Sequence, residues 1–267
     1  MKKRTLPIFL LVLIFVMSVS VFTACNPDNE NSSGGGLPDG VTVEAGDNIF
    51  TEDATLEQLL DALENANSFT VDRKYNDKYS KDGVEAETDV HVIKCYNKAD
   101  KTLMVHDSEY ANLYAPAALV ADAYFFFNED MFYRVDFANF RVIEEDNSWR
   151  YEMNPDGKME FDSSQKSVTP FYEYESASEE ILSILSMLVM KEGKLALTDD
   201  EDAYLGGEVT NRKLELKGTE IVITYTTVDY NADGSIYATC DWYFCIKGVN
   251  ATKIDISEEM KSYCEQA

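Results

Sequence analysis

The stretch "VDYNADGSIY" (228–237) holds Asp229, Asn231, Asp233 and Gly234 in the D-x-N-x-D-G order that opens an EF-hand calcium loop, with Ile236 at the hydrophobic eighth position. Such a loop needs a bidentate glutamate at its twelfth position and a helix on either side. Cys240 stands at the twelfth position, and the flanks read as strands. Asn, Asp and Gly also tolerate the positive φ of a tight reversal, so the segment reads as a hairpin turn, with weak calcium binding as the alternative. His91 and His106 are the only histidines, and in strand alternation His91 shares a face with Ile93 and Cys95. A His/Cys metal cluster needs more ligands than that, so both read as ordinary strand residues. The acid runs "EED" (144–146) and "DDED" (199–202) contain the groups that acid–base chemistry or cation binding uses, but such runs read as solvated loops. G-x-S-x-G, H-E-x-x-H, G-x-G-x-x-G and Walker sequences are all missing. No enzyme, no cofactor and no metal is therefore expected.

Cys95, Cys240, Cys245 and Cys264 form an even set. Cys240 and Cys245 sit five residues apart on one strand, ~17 Å along it and on opposite faces, so they cannot bridge each other. If two disulfides form, these two take Cys95 and Cys264 in one order or the other. Four reduced, mostly buried thiols are the alternative. No C-x-x-C pair occurs, which removes zinc-ribbon and thioredoxin-type readings.

The N-terminus says where the chain works. "MKKR" is a positive n-region, "LPIFLLVLIFVMSVSV" an apolar h-region, and "FTAC" a small-residue cleavage site ending on a cysteine. "VFTAC" resembles the bacterial lipobox, with Phe22 where Leu is commonest, Thr23 and Ala24 small, and Cys25 as the residue that resemblance marks for acylation. The apolar stretch is short for a span, which takes ~20 residues. The tract "NPDNENSSGGGLPDG" (26–40) is too polar and glycine-rich to fold and reads as a tether. The expected organisation is a lipoprotein signal peptide at 1–24, a flexible tether at 25–46 and one domain at 47–267, anchored outside the cytoplasm through lipid on Cys25. Loss of Lys2, Lys3 and Arg4 with the signal takes the formal net charge from −26 to −29. A field of that sign repels phosphate backbones and anionic headgroups, so nucleic acid is excluded as a partner and so is docking through a basic patch.

The elements follow from periodicity. "TEDATLEQLLDALENA" (51–66) places Leu56, Leu59, Leu60 and Leu63 at helical spacing behind a Thr55/Gln58 capping box. Strand alternation then takes over, with turns at "KDG" (81–83), "KADK" (98–101) and "NPDG" (154–157), and with "AYFFFNEDMFYRVDF" (123–137) folding as a hairpin around Asn128, Glu129 and Asp130. A second helix is expected over 176–193, capped by Ser176 and Glu179 at one end and Gly193 at the other, and apolar nearly all round. In "SIYATCDWYFCI" the residues Ile236, Ala238, Cys240, Trp242, Phe244 and Ile246 share one face, and the polar and tyrosine residues share the other. Eight to eleven short strands with tight turns and two helical segments predict an α+β domain. Its antiparallel sheet should have one buried face under helix 176–193 and one solvated face. The aromatic hairpin is apolar on both faces, so its second face meets a helix, a ligand or a partner.

This order of elements resembles the LolA-like and LppX/LprG-like lipoproteins. The likeness rests on "LEQLLDALENANSFTVD", "YFFFNEDMFYRVDF", "EEILSILSMLVM" and "TYTTVDYNADGSIYATCDWYF" running into "ATKIDISEEM", and it covers most of 51–260. It implies a curved antiparallel half-barrel covered by helices that binds or carries an apolar or acylated molecule, with no catalytic residues. The candidate lining is Trp242, Phe244, Ile246, Leu185 and Met187. The alternative expectation is a surface interaction or envelope-sensor module that uses exposed tyrosines to meet a protein or a glycan.

Overall fold

Period-two patterning governs most of the chain, and the fold it produces is mostly antiparallel sheet with few helices. The computed structural model describes residues 37–81, 84–112, 119–128, 131–145, 148–167 and 178–264. The signal segment 1–24, Cys25 and the first part of the tether lie outside them. The strands are β1 (Val41–Val43), β2 (Ser68–Lys81), β3 (Val84–Asn97), β4 (Thr102–Ala111), β5 (Leu119–Asn128), β6 (Met131–Ala138), β7 (Phe140–Glu145), β8 (Ser148–Met153) and β9 (Glu160–Ser167). After helix α2 the chain continues with β10 (Leu188–Lys191), β11 (Lys194–Leu197), β12 (Glu208–Leu216), β13 (Glu220–Tyr230), β14 (Ile236–Lys247) and β15 (Thr252–Ile254). The helices are α1 (Leu56–Glu64), α2 (Ser178–Ser186) and α3 (Glu258–Cys264).

Nine strands form one large curved sheet in the order β12-β13-β14-β2-β3-β4-β5-β6-β9, every neighbouring pair antiparallel. On its first face, α1, α2 and the β10–β11 hairpin cover a core that includes Leu59, Leu63, Phe69, Val71, Ile221 and Ile223. The predicted capping box starts α1: the Gln58 amide donates to Thr55 Oγ1 at 3.1 Å and the Thr55 amide donates to Gln58 Oε1 at 2.9 Å. Leu59 and Leu63 are fully buried, each contributing ~2 kcal/mol by leaving water. The reversals at Asn128, at 98–101 and at 154–157 all lie where expected, with positive φ at Lys101 (53°) and Gly157 (67°).

Three expectations need correction. Helix 176–193 is cut short: α2 ends at Ser186 and the "LVMK" that follows pairs as β10 with β11, Leu188 opposite Leu197. Glu192 and Gly193 both have positive φ, the requirement of a two-residue primed turn, so Gly193 turns a hairpin and caps no helix. Nor is α2 buried on most sides, since Ile181, Ile184 and Leu185 face the core while Leu182 is 51% exposed. The Ser176 cap lies outside the described residues. Secondly, the second sheet face is not simply solvated. The β1–β15 ribbon and α3 pack against it, joining Ile256, Met260 and Cys264 to Ile93, Cys95, Met104, Phe126 and Val135. Tyr263 rings meet Phe137 at 5.2 Å and Phe161 at 4.9 Å, so α3 covers the second face of the aromatic hairpin. Thirdly, the C-terminal part of the expected tether 25–46 is structured: Leu37 is half-buried against the second-face core, Pro38 is buried and β1 pairs with β15.

Candidate functional site

Register places residues of seven strands in one row across the first face. Phe244 on β14 lies opposite Arg73 on β2, Arg73 opposite Val92 on β3, and Val92 opposite Asp107 on β4. Asp107 lies opposite Ala123 on β5, Ala123 opposite Asp136 on β6, and Asp136 opposite Ser163 on β9. Directly opposite residues point to the same side, so Arg73, Asp107 and Asp136 share the face that elsewhere carries the helix-covered core. In the next row lie Tyr225, Trp242, Tyr75, Val90, Glu109, Ala121 and Ala138.

These rows mark a change of chemistry along the face. Trp242 lies tilted 5.0 Å from Tyr75 and stacks 5.9 Å from Tyr225 and 6.0 Å from Phe244, and its indole N–H donates to Thr227 Oγ1 at 3.1 Å. Trp242, Tyr75 and Arg73 are half-buried. The Arg134 Nε–H donates to both oxygens of Asp136, at 2.8 and 2.9 Å, and Ser163 Oγ donates to it at 3.3 Å. Burial nonetheless leaves its carboxyl above the ordinary range, because desolvation outweighs Arg134. Asp107 is only 7% exposed, and among the described residues it has no hydrogen-bond or ion-pair partner. Burial pushes it up to about 6, against the opposing charges of Arg73, His106, Lys94 and Arg134. Arg73 Nε is buried with no hydrogen-bond acceptor.

The opposite face holds a polar centre of a different kind. Asp72, 3% exposed, accepts from His91 Nε2 at 2.9 Å and Lys247 Nζ at 2.8 Å. Burial works to raise its pKa, but the His91 hydrogen bond and the Lys247 charge outweigh that and hold it below the ordinary range. His106 is likewise paired with Asp122 and stacks 4.5 Å from Tyr124. Both histidines serve local pairs, and among the described residues no three His, Cys, Asp or Glu side chains gather as a metal site.

The candidate lining residues do come together, in a filled core. Phe244, Ile246, Leu185 and Met187 are 4, 0, 7 and 2% exposed and pack with the α1 leucines, while Trp242 stands at the margin of that core. A cleft of about 490 Å³ lies instead beside the sheet edge, where Leu195 and Leu197 of β11 face Leu214 and Leu216 of β12. The four cysteines Cys95, Cys240, Cys245 and Cys264 are all free thiols, Cys240 half-buried and the others buried. "NADG" is a turn: the Asn231 amide donates to Ser235 O at 2.7 Å, Gly234 has φ 84°, and Asp233 Oδ1 accepts from the Ser235 amide and hydroxyl at 3.0 and 2.6 Å. In "DDED", Asp200 caps a one-turn helix at Glu201–Ala203 and Asp199 pairs with Lys191. The side chains of "EED" lie outside the described residues.

Sequence reading missed Arg73, Asp107, Asp136 and Tyr75. Each looks like a routine polar or aromatic strand residue, and only the pairing of β2 through β6 aligns them. Compared with protein-family models, with curated proteins and with solved structures, the chain finds no match in any of the three.

Proposed function

We propose that the chain is a lipid-anchored, extracytoplasmic binding module, built on a half-barrel of LolA-like kind, that receives a polar ligand at the half-buried aromatic margin of its first sheet face, around Trp242 and Tyr75. It performs no chemistry of its own. The observation that carries this reading is the division of that face. Under α1 and α2 it is packed with fully buried side chains, whereas beyond Phe244 it carries the half-buried Trp242, Tyr75 and Arg73. A carrier of apolar guests needs free volume where Phe244, Ile246, Leu185 and Met187 already fill the space. The membrane enters through acyl chains on Cys25. Among the described residues no helix is long and apolar enough to cross a membrane.

Trp242 fluorescence reports directly on the face. Titrating the purified protein with soluble envelope fragments, with a detergent-solubilised lipid extract as the comparison, should change the emission for the polar fraction, and Trp242→Ala should remove the binding while leaving the fold intact. Stoichiometric lipid recovered by native mass spectrometry, or binding that survives Trp242→Ala, would overturn this reading. Lipid recovery would favour the second reading, an apolar guest seated at the cleft between β11 and β12, whose Leu195, Leu197, Leu214 and Leu216 supply an apolar wall. Anchoring is tested separately: Cys25→Ala should release the protein from membranes and abolish palmitate incorporation.

A further inference from the structure

We propose that the outer edge of β12 at Leu214 and Leu216 is a second binding site, which takes an extended segment of a basic partner protein as an added strand. It is separate from the aromatic margin at Trp242 and stands without it. Strand β12 is the last of the nine in the large sheet, so one side of its backbone has no strand beside it. The direction of its hydrogen bonds follows from the turn that joins β12 to β13. The Lys217 amide donates to Glu220 O at 3.0 Å, so Lys217 and Glu220 bond across the ladder and the next pair, Leu216 and Ile221, does not. The N–H and C=O of Leu216, and by the same alternation those of Leu214, therefore point away from β13. Gly218 obeys the same rule: its outward amide donates to Phe50 O at 3.1 Å and its carbonyl accepts from the Phe50 amide at 2.8 Å, as an isolated antiparallel bridge. Continued by two residues, that bridge would put Glu52 opposite Leu216. Instead the chain turns at Thr51–Ala54, and Glu52 O accepts from the Leu195 amide at 2.9 Å. Leu214 and Leu216 are left beside the cleft of about 490 Å³, and among the described residues no group bonds their outward backbone.

The guest's chemistry follows from those groups. A row of outward N–H and C=O is answered by another backbone in extended form, which supplies acceptors and donors at the same spacing, whereas a lipid tail leaves them unpaired. Alternation fixes the side chains. Leu214 and Leu216 stand opposite Ile223 and Ile221 on the core side of the sheet, and Leu195 and Leu197 of β11 line the cleft with them. A strand laid on β12 sends the two residues opposite Leu214 and Leu216 towards these four leucines, so both are apolar and β-branched residues suit them. The residue between them stands opposite Glu215, which is already paired with Lys213 and Lys217, so an uncharged side chain fits there. Lys194 at the cleft is likewise paired with Glu52. With these bases neutralised, the formal charge of −26 sets the long-range field and favours a partner with basic flanks. Antiparallel pairing with a second copy would bring its own β10–β11 hairpin to the same side of the joined sheet, where this one already stands, so a lone strand is the better occupant.

The test follows backbone amide resonances and hydrogen exchange of the purified, folded protein during titration with a synthetic peptide of alternating valine and threonine, lysine at each end. One comparison peptide is N-methylated on its valines, which keeps the side chains and removes the donors that would face β12, and another ends in glutamate. The lysine-ended peptide should shift the Leu197, Leu214 and Leu216 amides, slow exchange at Leu214 and Leu216, and bind about tenfold or more tightly than the N-methylated one. The glutamate-ended peptide should bind more weakly. Leu216→Pro removes one outward donor and no bond to β13, and it should weaken binding by about fivefold. Its melting curve reports on the fold, and if the variant unfolds the N-methylated comparison decides alone. An absence of amide shifts, equal binding of the N-methylated peptide, or tighter binding of the glutamate-ended one overturns the proposal. So does dimerisation that protects the same amides without peptide, or recovered lipid that protects them. Trp242→Ala should leave peptide binding unchanged. Loss of binding in that variant would place the peptide at the aromatic margin and sink the edge site alone, whereas peptide binding at β12 with no ligand at Trp242 would sink the other reading alone.

Discussion

Asp107→Asn should stabilise the unliganded protein, and the gain should depend on pH in a specified way. Asp107 is almost wholly buried and has no hydrogen-bond partner among the described residues, and burial raises its carboxyl from 3.8 to about 6 against the charges of Arg73, His106, Lys94 and Arg134. An acid whose folded-state pKa is raised destabilises the fold wherever it is ionised. That cost begins above pH 3.8 and is complete once the pH has risen past about 6, so the natural protein gains stability as pH falls through that window. A shift of about two pK units corresponds to ~3 kcal/mol at 1.36 kcal/mol per unit. Below the window the protonated acid and the amide are near-equivalent, so the variant and the natural protein should melt together. At pH 8 the variant should be ~3 kcal/mol more stable, raising the melting temperature by roughly 6–12 °C in a domain of this size. Calorimetry or urea melts of both proteins at pH 3.5, 6 and 8 measure the difference directly. A difference independent of pH, or a variant less stable at pH 8, would refute the argument, because either result means that Asp107 has a partner stabilising its charge.

The Asp72 centre should behave in the opposite sense. Asp72→Ala strands the Lys247 and His91 groups beneath the second face and should cost about 3 kcal/mol in urea melts, and a loss under 1 kcal/mol would show that the trio contributes no more than a surface pair. Because its folded pKa is lowered, the stabilisation by Asp72 is present above 3.8 and fades as pH drops below that value, so the variant's deficit should shrink in acid. Tyr263→Ala removes the α3 ring from Phe137 and Phe161 and should cost ~2 kcal/mol, with a rise in binding of a hydrophobic dye; an unchanged dye signal would mean that another element covers that face. Calcium titration should give no heat from Asp229, Asn231 and Asp233, since Asp233 is already occupied by the turn; tight binding abolished by Asp229→Ala would reverse that reading. Burial pushes the Cys95 and Cys240 thiols up to about 12 and Cys245 to about 11, so thiol reagents at pH 8 should react slowly in the native state and fully only in denaturant, and rapid native labelling of two or more would contradict it.

What the sequence disclosed and what it hid divide along a physical line. Signals that act within a few residues came through: the Thr55/Gln58 capping box, the reversals at Asn128 and "NADG", and the alternation that sends Cys240 and Cys245 to opposite faces. The misread α2 shows where local signals compete. "SILSMLVM" satisfies helical and extended patterns alike, and the decision at Ser186 falls to Glu192 and Gly193, whose turn lets Leu188 pair with Leu197. Coverage of the second face was hidden for another reason. It depends on β1 and β15 meeting across more than two hundred residues, and nothing in either three-residue strand announces its partner. The polar row on the first face is the extreme case. Arg73, Asp107 and Asp136 are spaced 34 and 29 residues apart, and no motif joins them. They become neighbours because four successive antiparallel registers, β2–β3, β3–β4, β4–β5 and β5–β6, all hold the same parity. A slip of one residue in any of them would turn the residues beyond it to the other face. A site of this construction belongs to the sheet and to no strand within it, so the chemistry of the chain is written in pairings that a linear reading does not contain.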